Sequence, residues 1–248
     1  EEIGDELALV LIGGVNYYSG QVFDMETITK AGKATGAFVG WDLAHAAGNI
    51  ELKLHDWGVD FAAWCSYKYM NSGPGNASGV FVNERHLNTS DIPRFEGWWG
   101  TKKETRFLMK PEFEPIETAD AWQISNPPVL SLAPYLASLE MFEEVGMPAL
   151  IAKRNKIVAY LEYVLKSIDK EVEQSTFEII TPEDRGCQLS VFLHGQGRPL
   201  FDYLMKKGVI TDWREPNVIR LAPAPFYCSY EDMYRFGQIL KEGIITNQ

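Results

Sequence analysis

The sequence is short of basic residues and of long apolar runs, and each shortage argues against a class of protein. Its 248 residues include 23 Lys and Arg against 34 Asp and Glu, which gives a formal net charge of −11. Binding to nucleic acid needs concentrated Lys and Arg, so we expect no nucleic-acid partner. No segment approaches the roughly 20 uninterrupted apolar residues that cross a bilayer, so we expect no membrane partner.

Cysteine is also scarce. The three cysteines, Cys65, Cys187 and Cys228, are odd in number and have no metal-binding spacing. We therefore expect free, mostly buried thiols in a reducing cytoplasm, and no metal site.

Hydrophobic residues make up 46% of the chain and charged residues 23%, which is ordinary for a globular protein. The first half alternates strand-like and helix-like segments. Predicted strands cover 7–12, 37–41, 60–65 and 79–82, and predicted helices cover 24–35 and 44–54. This alternation predicts an α/β fold with a mostly parallel sheet.

The second half reads differently. A loop-rich stretch from about 84 to 127 ends at Asn126-Pro127-Pro128, where proline breaks regular structure. Predicted helices follow at 129–146, 148–168, 199–207 and 230–245, with predicted strands at 177–181, 187–193, 209–212 and 218–221. We predict a first domain over 1–130 and a small α+β domain over 131–248.

The amino-terminal segment leads directly from acidic residues into the apolar run Leu7–Ile12. Such a run is typical of a buried parallel strand, which normally has neighbours earlier in the chain. We therefore expect the sequence to be part of a longer protein.

The sharpest local signal is Lys68, which follows an apolar strand in Ser66-Tyr67-Lys68 and precedes a Gly-Pro-Gly turn at 73–75. The carboxyl ends of strands are where α/β folds bind ligands. A solvated surface lysine is the alternative that this residue alone leaves open.

Asp42 ends the preceding predicted strand, and His45 follows it closely. Alone, Asp42 could be a helix N-cap and His45 a buried structural histidine. Paired with Lys68 on a neighbouring strand, Asp42 suggests pyridoxal-phosphate chemistry, which needs a lysine for the imine and a carboxylate at the pyridine nitrogen. His45 is within reach of the same ring.

Longer motifs support this interpretation. They are Asp42–Asn49, Leu54–Phe61, Trp64–Tyr69, Gly97–Gly100, Ile124–Pro128, Arg185–Leu189 and Ile219–Pro223. Together they resemble the kynureninase family, over nearly the whole chain. The resemblance implies a fold-type-I pyridoxal-phosphate enzyme, in which 1–130 is the carboxyl-terminal half of the large domain and 131–248 is the small domain.

The resemblance also implies roles for individual residues. Lys68 resembles the Schiff-base lysine, which also removes the proton from the substrate's Cα. Asp42 resembles the partner of the pyridine nitrogen, and His45 a residue close to the cofactor. Tyr67 resembles a tyrosine that contacts the phosphate and takes part in proton transfer.

Three further residues resemble parts of the same site. Trp98 and Asn126 resemble residues that reach it from a second subunit, which implies a homodimer with a shared active site. Arg220 resembles the arginine that binds the substrate α-carboxylate through two parallel hydrogen bonds. A core aromatic, a turn residue and an ordinary ion pair are the respective structural alternatives.

Two features depart from the family pattern. Thr101 stands where family members carry a histidine facing the substrate's aryl ring, which leaves open the preference between kynurenine and its 3-hydroxy form. The family's phosphate-binding loop and the aromatic residue that stacks on the pyridine ring lie upstream of Glu1.

The implied activity is hydrolysis of L-kynurenine or 3-hydroxy-L-kynurenine to anthranilate or 3-hydroxyanthranilate and L-alanine, a step of tryptophan catabolism and NAD biosynthesis. The alternatives are a cysteine desulfurase, an aminotransferase, or an inactive protein that keeps the fold. A desulfurase needs a catalytic cysteine in a mobile loop, and none of the three cysteines fits that requirement well.

Overall fold

A computed structural model describes residues 4–87, 92–172, 176–195 and 197–246. These residues form two compact units. The first unit comprises residues 1–14, 24–47 and 52–141, and the second comprises 15–23, 48–51 and 142–248. No helix within the described ranges is long and apolar enough to cross a membrane.

The first unit is built on a four-stranded sheet with the order β1-β2-β3-β4. Its strands are β1 (Leu9–Gly13), β2 (Phe38–Asp42), β3 (Phe61–Cys65) and β4 (Ser78–Val82). β1, β2 and β3 are parallel, and β4 runs antiparallel to β3. The predicted mostly parallel sheet is confirmed, with β4 as its exception.

One face of this sheet is covered by helix α1 (Met25–Ala34). The helix begins at Asp24, whose side chain accepts a hydrogen bond from the Thr27 backbone N–H at 3.0 Å. A Cβ on Gly32 would lie 2.8 Å from Val39 Cγ2, so the absence of a side chain lets the helix approach the sheet closely.

The opposite face of the sheet, which we call the open face, is apolar and exposed. Leu9, Leu11, Phe38 and Val80 on it are 45%, 52%, 46% and 52% exposed. Because side chains alternate along a strand, the same face carries Asp42 at the carboxyl end of β2.

A buried carboxylate, Asp60, joins four parts of the first unit. It is 1% exposed and lies immediately before β3. Its oxygens accept hydrogen bonds from the Val39 backbone N–H at 2.7 Å, Lys33 Nζ at 2.9 Å, Arg85 Nη2 at 2.5 Å and His86 Nε2 at 2.7 Å. Burial alone raises the pKa of Asp60, but these hydrogen bonds together lower it well below its ordinary value.

The second unit contains an antiparallel sheet with the order β5-β6-β8-β7. Its strands are β5 (Phe177–Ile179), β6 (Leu189–Leu193), β7 (Asp212–Arg214) and β8 (Val218–Leu221). Its helices are α3 (Met147–Glu171), α4 (Gly197–Lys206) and α5 (Tyr230–Thr246). Leu161, Leu165, Leu189 and Leu204 are fully buried in its core, which confirms the predicted small α+β arrangement. Helix α2 (Val129–Val145) has most of its residues in the first unit.

The helix predicted over 44–54 is wrong, because this segment is a series of turns. The backbone N–H groups of Ala46 and Ala47 both donate to the Leu43 carbonyl at 2.9 Å, and Gly48 has a left-handed φ of 77°. A residue in that conformation ends a helical path. The predicted strand at 209–212 also begins later, at Asp212.

We predict that Asp60→Asn destabilises the protein by about 3–5 kcal/mol, the usual effect of breaking a buried ion pair from one side. The substitution removes the negative charge that the side chains of Lys33, Arg85 and His86 share. Urea unfolding measures the change, and the matched control is Asp56→Asn, since Asp56 is 74% exposed and pairs with the exposed His55 at 3.4 Å.

The same substitution has a predicted pH signature. A carboxyl whose folded pKa is lowered contributes stability above its ordinary pKa, and this contribution is lost as the pH falls toward the folded value. Wild type should therefore lose stability below about pH 4 more steeply than Asp60→Asn does. Equal slopes for the two proteins would contradict the assigned role of Asp60.

Candidate active site

The ends of β2 and β3 bring three of the predicted site residues to one edge of the first sheet. β2 and β3 are parallel neighbours in which Asp42 pairs with Ala63, so both strands end at the same edge. His45 lies in the turn after β2, and Lys68 lies three residues after β3. Lys68 Nζ is 3.0 Å from His45 Nε2, which places an amine and an imidazole in direct contact.

The Asp42 carboxylate is exposed at this edge and is oriented by its own turn. Its Oδ1 accepts a hydrogen bond from the Ala44 backbone N–H at 2.8 Å. Because the turn that fixes the carboxylate continues directly into His45, the two side chains are positioned by one short segment. A cavity of about 510 Å³ adjoins Asp42, and its lining also includes Gly13 and Cys65.

The loop that carries Lys68 is fastened by two buried serines. The hydroxyls of Ser66 and Ser72 are 2.6 Å apart, and Ser66 also donates to the Ala77 carbonyl at 2.5 Å. Asn71 has a left-handed φ of 56°, a conformation that asparagine tolerates better than most residues. The chain therefore reverses tightly after Lys68, and the lysine is held on a closed loop.

Tyr67 is 51% exposed and lies two residues after the end of β3. A hydrogen bond with the Cys65 thiol raises the pKa of the Tyr67 phenol above its ordinary value. The phenol is thus held in its protonated form, beside Lys68 in the sequence.

Trp98 lies in a loop of the first unit that is packed against the segment 121–124. A Cβ on Gly97 would lie 2.3 Å from Ile124 Cα, and one on Gly100 would lie 2.6 Å from the Ala121 carbonyl oxygen, so both positions need glycine. Trp98 itself is 41% exposed, and its ring meets Phe107 edge-on at 5.2 Å.

Arg106 stabilises this loop through hydrogen bonds to its backbone, a role that the sequence did not reveal. Its guanidinium is buried, lies 4.6 Å from the Trp99 ring, and donates to the carbonyls of Trp99 at 2.8 Å and Thr101 at 3.0 Å. Thr101 uses its hydroxyl to donate to the Gly97 carbonyl at 3.3 Å. A basic residue a few positions after an aromatic pair was a signal too common to single out.

Asn126 lies exposed in the stretch before helix α2, in the first unit. No hydrogen bond to Lys68, Asp42 or Trp98 is present for it among the described residues. The structure of one chain thus shows Trp98 and Asn126 as exposed groups and does not gather them around Lys68.

Arg220 lies on β8 of the second unit and is held by an ion pair. Its Nε donates to Asp212 Oδ2 at 2.5 Å, Nη2 meets the same oxygen, and Nη1 donates to the Tyr17 carbonyl at 2.6 Å. Asp212 stands directly opposite Arg220 in the sheet and is 45% exposed. A substrate carboxylate would therefore share this guanidinium with Asp212 or displace it.

Other motif residues are structural. Asn49 Oδ1 accepts from the Cys187 backbone N–H at 2.8 Å, and Arg154 donates to the Asn49 carbonyl at 2.6 Å. Gly186 lies so close that a Cβ there would be 2.4 Å from the Asn49 amide. Burial raises the pKa of the Cys187 thiol to about 12, so this cysteine is chemically inert.

The first-unit side chains fit pyridoxal phosphate by the chemistry they offer. Lys68 supplies a primary amine, Asp42 a carboxylate at a strand end, and His45 an imidazole in contact with the amine. Within the ranges that the structure describes, no three His, Cys, Asp or Glu side chains gather closely enough to hold a metal ion.

The comparisons with known proteins agree with this donor set. The model of the class-V aminotransferase family matches residues 1–176, and that of the kynureninase C-terminal domain matches residues 154–240. The chain belongs to the class-V aminotransferase family. This family depends on pyridoxal phosphate, which confirms the predicted cofactor.

Within the class-V family, the chain is similar to kynureninases. It is 78% identical to the kynureninase of Christiangramia forsetii and 77% identical to that of Flavobacterium johnsoniae, in each case over 99% of this chain and 58% of the relative. It is 52% identical to the kynureninase of Myxococcus xanthus, over 97% of this chain and 56% of that protein. The chain thus spans less than two thirds of the length of the curated relatives it matches.

Solved structures of other enzymes share the fold. A cysteine desulfurase from Escherichia coli aligns with a TM-score of 0.77 at 14% identity, over 96% of this chain and 59% of that one. An alanine–glyoxylate aminotransferase from Nostoc aligns with a TM-score of 0.74 at 17% identity, over 96% and 62% of the two chains. These likenesses confirm the predicted fold-type-I architecture and carry no information on substrate.

We predict that Gly97→Ala destabilises the Trp98 loop by about 2 kcal/mol, because the new methyl would meet the Ile124 backbone, which has no rotamer with which to yield. Gly4→Ala is the matched control, since its Cβ would meet Thr35 Cγ2 at an ordinary 3.4 Å. Tryptophan fluorescence during urea unfolding measures both variants. Equal midpoints for the two variants would argue against the close packing at Gly97.

Proposed function

We propose that this protein hydrolyses the Cβ–Cγ bond of L-kynurenine or 3-hydroxy-L-kynurenine, giving anthranilate or 3-hydroxyanthranilate and L-alanine, in tryptophan catabolism and NAD biosynthesis. The 78% identity to a kynureninase over 99% of the chain is the observation that carries the proposal. The contact between Lys68 and His45 supports it, because it supplies a base within reach of a second proton acceptor.

Pyridoxal phosphate, when bound, draws electrons away from the substrate α-carbon. In the proposed site Lys68 would hold the cofactor, Asp42 would pair with its pyridine nitrogen and His45 would contribute to its binding. Tyr67 contacts its phosphate. Trp98 and Asn126 complete the cofactor site from a second subunit.

We assign the proton transfers to Lys68, His45 and Tyr67, and the contact between Lys68 and His45 supports this assignment. Lys68 Nζ removes the Cα proton, a role that requires the neutral amine. His45 Nε2, at 3.0 Å, is positioned to accept a hydrogen bond from that amine or to donate one to it. Tyr67, whose phenol is held protonated, donates a proton to the departing fragment.

Arg220 binds the substrate α-carboxylate in this proposal. Its pairing with Asp212 favours that role, because a guanidinium already oriented by a half-exposed carboxylate loses little side-chain entropy when a second carboxylate arrives.

The assembly and location of the protein are further parts of the proposal. We infer a homodimer, because the exposed Trp98 and Asn126 are suited to contact a partner, and we propose that it is cytoplasmic. We also infer that residues 1–130 belong to the large domain of the enzyme and 131–248 to its small domain.

The burial of Cys187 and Cys228 argues against the rival function, that of a cysteine desulfurase. Cys187 is fully buried with its pKa raised to about 12, and burial also raises the pKa of Cys228. Neither side chain offers the exposed thiolate that sulfur transfer requires. The likeness to solved desulfurases concerns the backbone alone.

Replacing Lys68 with Ala should abolish both the covalent attachment of pyridoxal phosphate and the release of anthranilate. Borohydride reduction of the loaded protein, followed by peptide mass spectrometry, locates the attachment, and anthranilate fluorescence measures the activity. Lys156→Ala, at an exposed position of α3, is the control and should keep both. Label recovered on a lysine other than Lys68 in wild type would overturn the assignment.

Arg220→Gln should raise KM for kynurenine by roughly 100-fold, because two charge-assisted hydrogen bonds to the carboxylate are lost. Cofactor attachment should be retained, which separates substrate binding from folding. Arg214→Gln is the control, since Arg214 pairs with the same Asp212 at 3.2 Å. A lower kcat with unchanged KM would contradict the proposed role of Arg220.

A further inference from the structure

Tyr69 belongs to one of the sequence motifs, Trp64–Tyr69, but it has no task in the proposed mechanism. It follows Lys68 directly and is half-buried, as are Lys68 and His45. Its ring meets the imidazole of His45 at a centroid separation of 6.3 Å, with the two ring planes at 67°. This separation and this angle lie within the range of favourable edge-on aromatic pairs.

The contact between His45 and Lys68 joins two segments whose backbones are fixed separately. His45 lies in the turn in which the backbone N–H groups of Ala46 and Ala47 both donate to the Leu43 carbonyl at 2.9 Å. The backbone at His45 is therefore held in place by its own turn.

The loop that carries Lys68 is held by hydrogen bonds of its own. The Asn71 backbone N–H donates to the Lys68 carbonyl at 3.0 Å. The hydroxyl of Ser138, a buried residue of α2, donates to the Met70 carbonyl. With both backbones held, the contact between Lys68 and His45 depends on how the two side chains are oriented.

The imidazole of His45 needs a neighbour that holds its orientation. The χ2 torsion of histidine is broad and roughly two-fold, so the ring has little preference of its own. A half-turn about χ2 would put the Cε1 carbon where Nε2 lies, and the hydrogen bond to Lys68 Nζ at 3.0 Å would be lost. Tyr69 places an aromatic ring against the imidazole at this point.

We propose that Tyr69 is a positioning residue that holds the imidazole of His45 with Nε2 toward Lys68. This inference rests on the proposed function, in which Lys68 and His45 exchange a hydrogen bond, and it assigns the residue that keeps the two side chains in contact. Tyr69 takes no part in bond making in this scheme, and its effect reaches Lys68 through His45. The contact is made by the ring, so Tyr69→Phe should retain it.

NMR measures the orientation of the imidazole in the whole protein before cofactor is added, with protons kept only in histidine and lysine side chains. His45 is assigned by His45→Gln. Because Cδ2 is bonded to Nε2, the Cδ2 proton of His45 should show a nuclear Overhauser effect to the Lys68 side chain in wild type. This effect should be lost in Tyr69→Leu, which lacks a ring, and kept in Tyr69→Phe.

Tyr227→Leu is the matched control for the loss of a tyrosine ring. Tyr227 is 84% exposed and lies in the second unit, so its replacement should leave the Overhauser effect between His45 and Lys68 unchanged.

Kinetics give a second measurement. Tyr69→Leu should lower kcat for kynurenine hydrolysis about fivefold, which corresponds to about 1 kcal/mol for one aromatic contact. KM should be unchanged, because Arg220 binds the substrate carboxylate in the proposed function. Tyr69→Phe should keep the wild-type kcat. If Tyr69→Leu does not fold, Tyr69→Met, whose flexible side chain fills irregular space, replaces it in both measurements.

An Overhauser effect that persists in Tyr69→Leu would overturn the proposal. So would its loss in Tyr69→Phe, because the hydroxyl rather than the ring would then orient His45. A lost effect with unchanged kcat would also contradict it, since the orientation of His45 would then not serve the reaction. If wild type does not cleave kynurenine, the proposed function fails, while the NMR measurement still decides whether Tyr69 orients His45.

Discussion

The arrangement of the first unit depends on one buried carboxylate. Asp60 is almost fully enclosed and is neutralised by groups from α1, from β2 and from the turn after β4. An enclosed carboxylate is tolerated only with such partners, so these three elements and β3 must assemble in one arrangement to satisfy it. Because Asp60 immediately precedes β3, it fixes that strand against β2, and the strand ends then bring Lys68 to His45.

Much of the site was predictable from the sequence because it follows a local rule. Residues directly after parallel strands gather at one sheet edge, and Asp42, His45 and Lys68 obey that rule. The role of Asp60 was not predictable, since its partners at 33, 39, 85 and 86 are distant in sequence and carry no pattern. The helix expected over 44–54 failed for a related reason, because the Leu43 carbonyl closes a turn there and Gly48 takes a left-handed conformation.

The motifs identified the family, but they did not distinguish residues of the candidate site from residues that only support the fold. Gly97 and Gly100 are required by the close approach of residues 121–124, and Gly186 by the neighbouring Asn49 amide. Such positions are as restricted as a reacting side chain, because a single Cβ would displace backbone at Gly97 and Gly100 and the Asn49 side chain at Gly186. Only the contacts in three dimensions show that Lys68 touches the His45 imidazole while Asn49 supports a loop.

The open face of the first sheet has a consequence for how copies of this chain behave in solution. Its exposed leucines, Phe38 and Val80 attract other apolar surface over a few ångströms, whereas the net charge of −11 repels other copies over longer distances. The range of that repulsion is about 30 Å at 0.01 M salt and about 10 Å at 0.1 M. Added salt therefore shortens the repulsion between copies of this chain and favours their association through the open face.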